Sequence, residues 1–203
     1  AAGALTTGGS NVAVGSGALL VATTASNNVA VGTSALTANT SGTDNVAVGD
    51  SAGDAVTTGS DNTFVGDNAG GATTTADSNT AIGSGALLVN STGANNTAVG
   101  ANVLDANTTA SSNTAVGYNA GTANTTGSSQ VLIGAYAGDA LTTGADNTAL
   151  GYGALSTATT VSNNTAVGSG ALETNAAANN TAVGYYALQA NTTGTSNTAV
   201  GRS

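Results

Sequence analysis

The stretch NTAVGYYALQANTTGTSNTAVG, residues 180–201, contains the motif N-T-A-V-G twice, and its two copies begin 17 residues apart. The motif recurs from one end of the chain to the other with few substitutions. Its copies begin at Asn11, Asn28, Asn45, Asn62, Asn79, Asn96, Asn113, Gln130, Asn147, Asn164, Asn180 and Asn197. Only the step from Asn164 to Asn180 differs, at 16 residues. The chain is therefore a tandem repeat of the unit N-T-A-V-G-x-x-A-L-x-x-N-T-T-G-x-x, whose positions we number 1 to 17 and which we call a coil.

The composition excludes several functions. The 203 residues carry a net charge of −9, contain a single basic residue, and lack His, Lys and Cys. A nucleic-acid-binding protein needs a basic surface, and this chain has none. The nucleophile–base pairs of hydrolases cannot be assembled without His, Cys or Lys. Apolar runs such as GALLVA are far too short to cross a bilayer. We therefore predict a protein that is not an enzyme, has no cofactor, and inserts no part of this segment into a membrane.

The length of the repeat predicts the fold. Seventeen residues cannot hold a helical hairpin, whose repeats begin at about 33 residues. Position 4 is Val, Ile or Leu in every coil and position 5 is always Gly, which predicts a strand that ends at a turn. A second strand is predicted over positions 8 to 12, followed by the T-T-G turn. The sequence thus predicts an all-β protein, a parallel β-solenoid or β-roll of about twelve coils, as one repetitive domain over residues 1–203.

Stacked coils place the same position of each repeat in a row along the rod. Position 4 is predicted to form the core, together with Leu at position 9. The predicted core residues are Val14, Val31, Val48, Val65, Ile82, Val99, Val116, Ile133, Leu150, Val167, Val183 and Val200. Position 1 is predicted to form a ladder of hydrogen-bonded amides, as in other stacked β-structures. This ladder comprises Asn28, Asn45, Asn62, Asn79, Asn96, Asn113, Gln130, Asn147 and Asn164.

Position 3 is then predicted to face outward, because neighbouring residues of a strand point to opposite faces. The resulting stripe is Ala30, Ala47, Phe64, Ala81, Ala98, Ala115, Leu132 and Ala149. A contiguous apolar stripe is typical of an interaction surface, so we expect lateral association of chains through it. The alternative is a row of alanines that the surface merely tolerates.

The N-x-A-[VI]-G core resembles the head repeats of trimeric autotransporter adhesins, the YadA-like left-handed β-rolls. The longer string at residues 180–201 also resembles repeats of phage tail fibres and large bacterial surface proteins. The resemblance covers the whole chain. It implies an elongated, left-handed, homotrimeric adhesin or fibre that is extracellular, on a cell or virion surface.

We therefore predict an extracellular structural fibre or adhesin segment whose partners are copies of itself, with surface glycans or matrix as further candidates. A phage tail-fibre shaft is the nearest alternative. A ligand-binding solenoid, for ice or glycans, is the alternative from another class.

Three further groups of side chains can each be explained either by a function or by the structure of the turns alone. Asp44 with Asp61, and Asp50 with Asp67, lie one coil apart and could hold Ca²⁺, but Asp is also common in turns. Thr at positions 13 and 14 could form an ice-binding row or bond within the turn. Eight sequons could accept N-linked glycans or be plain turn asparagines. They are Asn39, Asn90, Asn95, Asn107, Asn124, Asn163, Asn179 and Asn191.

The two ends of the chain are in consecutive phase, because Ala1 falls at position 8 and Ser203 at position 7. Another copy could continue the ladders across such a junction. We expect either a piece of a longer array or subunits that stack head to tail into a filament.

Overall fold

In the computed structural model, which describes Gly3 and residues 6–202, the chain is a parallel β-solenoid with one three-residue strand per coil. The strands are β1 Val12–Val14, β2 Val29–Val31, β3 Val46–Val48, β4 Thr63–Val65, β5 Thr80–Ile82, β6 Thr97–Val99, β7 Thr114–Val116, β8 Val131–Ile133, β9 Thr148–Leu150, β10 Thr165–Val167, β11 Thr181–Val183 and β12 Thr198–Val200. They form one twelve-stranded sheet in chain order, so the predicted all-β parallel solenoid is confirmed. The prediction that the two ends are in consecutive phase rests on Ala1 and Ser203, which lie outside the described residues.

The register of the sheet follows the repeat without a slip. Each strand pairs in parallel with the equivalent residues of the next coil, as Ala98 does with Ala115. The short coil keeps this register, since Thr165 pairs with Thr181. The missing residue is absorbed in the turn, where the Asn175 amide bonds the carbonyl of Ala177, two residues on, at 2.6 Å. The equivalent bond elsewhere spans three residues. A deletion in the turn therefore leaves the ladders intact.

The predicted second strand over positions 8 to 12 is wrong. In the described coils this segment forms consecutive turns, and positions 7 and 9 take positive φ values, as at Asn102 (54°) and Leu104 (50°). An extended strand cannot contain such residues, because the left-handed conformation curls the chain. The turns still join the coils: Asn102 N–H donates to Ser84 O at 3.0 Å and Leu104 N–H to Ala120 O at 3.1 Å.

The predicted facing of the first strand is reversed. The position 3 side chains of the predicted outer stripe are fully buried, namely Ala30, Ala47, Phe64, Ala81, Ala98, Ala115, Leu132 and Ala149. The position 4 side chains of the predicted core face outward and are exposed or half-buried, namely Val14, Val31, Val48, Val65, Ile82, Val99, Val116, Ile133, Leu150, Val167, Val183 and Val200. Val14 is 56% exposed and Ile82 is 40% exposed. Both assignments made from the sequence are therefore wrong.

The reason for the reversal is the space available inside a coil. The left-handed turn at position 9 directs Leu104 and its equivalents into the interior, opposite the sheet. Position 8, usually Ala, and position 12 are buried beside it. With Leu already filling the interior, the sheet can contribute only a small side chain, and position 3 supplies Ala. The larger Val and Thr side chains are left outside.

The exceptions to this pattern compensate one another in size. Position 9 is Gly rather than Leu at Gly53 and Gly70, and the position 3 residue that lies against both is Phe64. A Cβ atom added to Gly53 or Gly70 would lie 2.6 or 2.5 Å from the Phe64 ring. Leu132 occupies the corresponding space between Gly121 and Gly138. In both places a larger position 3 side chain therefore occupies the space next to the glycines, where leucine lies in other coils.

Two amide ladders run through the interior. At position 1, the Asn28 Oδ1 accepts the backbone N–H of Asn45 at 3.0 Å, and the Asn45 amide donates to Gly59 O at 2.8 Å. The ladder residues from Asn28 to Asn164 are all buried. Gln130 keeps the pattern, since its N–H donates to Asn113 Oδ1 at 2.9 Å and its amide to Gly144 O. Most of these amides thereby satisfy buried backbone groups of their own coil and of a neighbouring one, whereas the Asn113 Nδ2 is buried without a hydrogen-bond partner among the described residues.

The second ladder, at position 12, was missed by the sequence analysis. The Asn107 amide donates to Asn90 Oδ1 at 2.9 Å and to Ala110 O at 3.0 Å. The Asn124 amide repeats the pattern on Asn107 at 3.2 Å. The signal was available, because Asn recurs at position 12 in six coils. Position 12 was instead predicted to be the last residue of the second strand, and its asparagines were considered as sequons or turn residues.

Candidate functional site

The first candidate surface is the outer side of the sheet, formed by the side chains at positions 2 and 4 of β1–β12, which we call the sheet face. Position 4 is aliphatic in every coil, and position 2 is Thr in eight coils and Val in four. The acidic residues fall at positions 6, 10, 16 and 17, so the sheet face has no ionisable side chain. It therefore forms an uninterrupted, uncharged surface along the rod.

The Thr hydroxyls at position 2 differ from those at position 13. At position 13, the Thr side chains from Thr23 to Thr142 donate across to the next coil, as from Thr108 Oγ1 to Thr125 O at 3.1 Å and from Thr125 Oγ1 to Thr142 O at 3.0 Å. Within the described residues, the position 2 hydroxyls of β4–β7, such as that of Thr97, have no protein partner. Of the two Thr rows considered for ice binding, at positions 13 and 14, the position 13 row is thus mostly engaged in bonding between coils. The sheet face presents a further row of hydroxyls without protein partners in the described part of the chain.

The second candidate surface is a row of aromatic rings, which we call the tyrosine edge: Tyr118, Tyr136, Tyr152, Tyr185 and Tyr186. These are all the tyrosines of the chain, and they occupy positions 6 and 7 of coils between residues 113 and 196. The ring centroids of successive members lie 5.5 Å apart for Tyr118 and Tyr136, and 5.9 Å apart for Tyr136 and Tyr152. Tyr185 and Tyr186 are 4.2 Å apart. The rings form a continuous edge-to-face series over three coils and a second pair beyond it.

A shallow cleft lies between the two groups of rings. It is lined by Tyr152, Gly153, Ser169, Gly170, Glu173 and Tyr186. Tyr186 leans over Gly170, where an added Cβ would lie 2.1 Å from the ring. Beside the cleft, Gln189 Nε2 donates to Glu173 Oε2 at 2.7 Å. The cleft thus has aromatic walls and one carboxylate, and the amide paired with that carboxylate lies beside it.

The remaining candidate groups do not converge on a site. Within residues 6–202, no three acidic side chains come close enough together to hold a metal ion, so neither Asp44 with Asp61 nor Asp50 with Asp67 has a third carboxylate nearby. Four of the sequon asparagines are fully buried at position 12: Asn39, Asn90, Asn107 and Asn124. A buried amide is inaccessible to glycosylation. Asn95, Asn163 and Asn179 lie instead at position 17, and Asn191 is half-buried.

Three carboxylates at position 10 are partly desolvated. Burial raises the pKa of Asp54, Asp105 and Asp139, against the opposing effect of backbone hydrogen bonds. One carboxylate oxygen of Asp105 and one of Asp139 are buried with no hydrogen-bond partner among the described residues. Their charged forms are therefore disfavoured in the folded rod relative to the unfolded chain.

This desolvation predicts that the rod is more stable at about pH 4.5 than at pH 7. A carboxyl whose pKa is raised on folding binds protons more readily in the folded state, so stability falls as the pH rises through the raised pKa. The variants Asp105→Asn and Asp139→Asn are expected to raise Tm at pH 7 by a few degrees and to weaken the pH dependence. Thermal melting followed by circular dichroism measures both.

The control is Asp146→Asn, an exposed turn carboxylate whose replacement changes the net charge equally. If it raises Tm as much as the position 10 variants do, general charge repulsion rather than burial is the cause. A Tm that is lower at pH 4.5 than at pH 7 would contradict the prediction.

The fold and its surfaces define a class, the β-solenoid repeat proteins. No family model, curated protein or solved structure matches this sequence. The resemblance to YadA-like head repeats therefore stays a prediction. The described part of the chain contains no helix long and apolar enough to span a membrane.

Proposed function

We propose that this chain is a rod-shaped segment of an extracellular surface fibre, a structural protein without catalytic activity that associates laterally through its sheet face. The observation that carries the proposal is the uncharged, mostly aliphatic surface at positions 2 and 4, maintained over twelve strands. A monomer in water gains nothing from such a surface, whereas burying it between rods removes apolar area from water.

The size of the sheet face supports an interface between copies. Twelve strands spaced at about 4.8 Å give a length of about 58 Å, and three residues give a width of about 10 Å. The face therefore covers about 600 Å², the upper end of what monomeric proteins expose in one patch. Standard interfaces bury about 800 Å² per partner, so the sheet face and its margins are large enough. Lateral association was expected through position 3, and this proposal transfers it to positions 2 and 4.

The regular sheet also suits assembly along the rod. Every coil pairs with the next through the same backbone and amide ladders, so stacking of copies end to end would use contacts that already recur in the chain. Lateral and longitudinal association together make a fibre, on a bacterial surface or as a phage tail-fibre shaft.

Lateral association is tested with Val99→Arg and Val116→Arg, two adjacent position 4 substitutions on the sheet face. We expect the double variant to sediment as a single chain, because two guanidinium groups would be desolvated in the interface, while the wild-type chain sediments as an oligomer. Analytical ultracentrifugation measures the difference. The matched control is Thr109→Arg with Thr126→Arg, which places the same charges at exposed position 14 of the same coils.

An oligomer that survives the Val99 and Val116 substitutions would remove the sheet face as the interface. A wild-type chain that sediments as a monomer at all concentrations would refute lateral association altogether. Circular dichroism of each variant distinguishes lost association from lost folding.

The free row of Thr hydroxyls favours a second candidate, a solenoid that binds ice. Regularly spaced hydroxyl and methyl groups on a sheet in strict register could order water in a repeating array. Inhibition of ice recrystallisation by a chain that sediments as a monomer would favour this candidate over the fibre. Its loss in Thr97→Tyr with Thr114→Tyr, but not in Thr109→Tyr with Thr126→Tyr, would assign it to the sheet face.

A further inference from the structure

The tyrosine edge breaks the repeat in a way that the fold does not require. Positions 6 and 7 are Ser, Gly, Asp, Asn, Ala or Thr in the six coils from Asn11 to Ser112, and those coils form the same strands and turns. Five tyrosines are then confined to the coils between residues 113 and 196. A repeat that is otherwise uniform has here acquired large side chains on one edge only.

These rings are placed outside the core. Tyr152 is 64% exposed, Tyr118 is 49% exposed and Tyr185 is 47% exposed. Contacts of the rings with one another explain part of their arrangement. A contact with Arg202 adds to this, because its guanidinium lies 5.4 Å from the Tyr185 ring centroid. These contacts do not explain why so much aromatic surface faces water, which is unfavourable unless something covers it.

The interruption in the row of tyrosines, between Tyr152 and Tyr185, also has a specific structure. The coil between Tyr152 and Tyr185 has Ser169 and Gly170 in the equivalent positions, and only a residue without a Cβ allows Tyr186 to lean over it. Tyr152 and Tyr186 both line the cleft that Glu173 borders. The paired Glu173 and Gln189 place a hydrogen-bond acceptor and donors beside the rings.

We propose that the tyrosine edge binds a neutral polysaccharide chain that lies along the rod axis. The C–H faces of sugar rings pack on aromatic faces, whose π systems carry partial negative charge. Sugar hydroxyls bond the phenol oxygens and the Glu173–Gln189 pair beside the cleft. Anionic polymers are disfavoured because the chain carries a net charge of −9.

A proline-rich peptide is the other ligand that prefers exposed aromatic rings. Such peptides dock into grooves between aromatic side chains. The tyrosine edge is a row of mutually edge-to-face rings with one shallow cleft, which suits a linear chain of ring-shaped units better. The inference goes beyond the fibre role and does not depend on lateral association, because binding can be measured on a single rod.

The test is native affinity electrophoresis of the wild-type chain. The gels contain one of four neutral polysaccharides: hydroxyethyl cellulose, a soluble β-1,3-glucan, dextran or a galactomannan. Alginate serves as the anionic probe and a polyproline peptide as the competitor. We expect retardation by at least one neutral polysaccharide and none by alginate. Tyr118→Ala with Tyr152→Ala is expected to weaken the binding at least about tenfold.

The matched control is Leu88→Ala, which removes an exposed apolar side chain from a coil without tyrosine. It is expected to bind as the wild type does. Absence of retardation by all four neutral polysaccharides, equal retardation by alginate, displacement by polyproline, or unchanged binding by the tyrosine variant would each overturn the proposal. The Val99→Arg and Val116→Arg variant, measured in the same gels, separates this result from the fate of the fibre proposal.

Discussion

Ala115→Arg is expected to unfold the middle of the rod, whereas Val116→Arg, one residue further on, leaves it folded. Ala115 is fully buried beneath the sheet, and Val116 is half-buried on the sheet face. An arginine at position 115 would have neither space nor a partner for its charge, so we expect a loss of more than about 4 kcal/mol. An arginine at position 116 extends into solvent or disrupts only an interface between rods.

The measurement is thermal melting by circular dichroism, combined with limited proteolysis. Because each coil contacts only its neighbours, the damage in Ala115→Arg is expected to centre on the coil of residues 113–129 and its two neighbours. Protease cleavage there, with resistant fragments on either side, would locate it. The result that contradicts the structure is a folded Ala115→Arg together with an unfolded Val116→Arg, since that pair would restore the facing first expected from the sequence.

Phe64→Ala has the second large expected effect, a loss of about 3–5 kcal/mol, because the Phe64 ring fills the space between two glycines. Gly53→Leu and Gly70→Leu are each expected to destabilise the wild-type chain, since their side chains would collide with the ring. The triple variant restores the repeat unit with Ala at position 3 and Leu at position 9. We expect it to recover most of the lost stability.

The decisive quantity is the coupling free energy between position 64 and the two glycines, obtained from a mutant cycle by chemical denaturation. Leucine already occupies the left-handed position 9 in coils such as that of Leu104, so the conformation itself is tolerated. Leu132 with Gly121 and Gly138 provides an independent second cycle. Additive effects, with no recovery in the triple variant, would mean that the two exceptions are unrelated.

The sequence by itself determined the period, the parallel register and the amide ladder at position 1. These follow from repetition, because identical units that stack at one spacing bring each residue against its own equivalent. Gln130 shows how strictly this holds, since it replaces an Asn and still bonds Asn113. The sequence determines which amide side chains occupy position 1, and stacking makes each of them the hydrogen-bond partner of the next.

Only the tertiary structure decided which side of the strand is the inside. In a strand of period two, positions 2 and 4 or position 3 can face the core, and a shift by one residue exchanges the two sets. The choice depends on what lies across the coil, and that is Leu104 or its equivalent in a left-handed turn, a conformation that leucine rarely adopts. The glycines that replace leucine at position 9, such as Gly53, hinted at this turn, but the sequence did not show that Phe64 compensates for their missing volume. Segments that lie far apart along a coil share its interior volume. Which side chains fill that volume, and which remain on the surface for other molecules, is therefore fixed only when the coil closes.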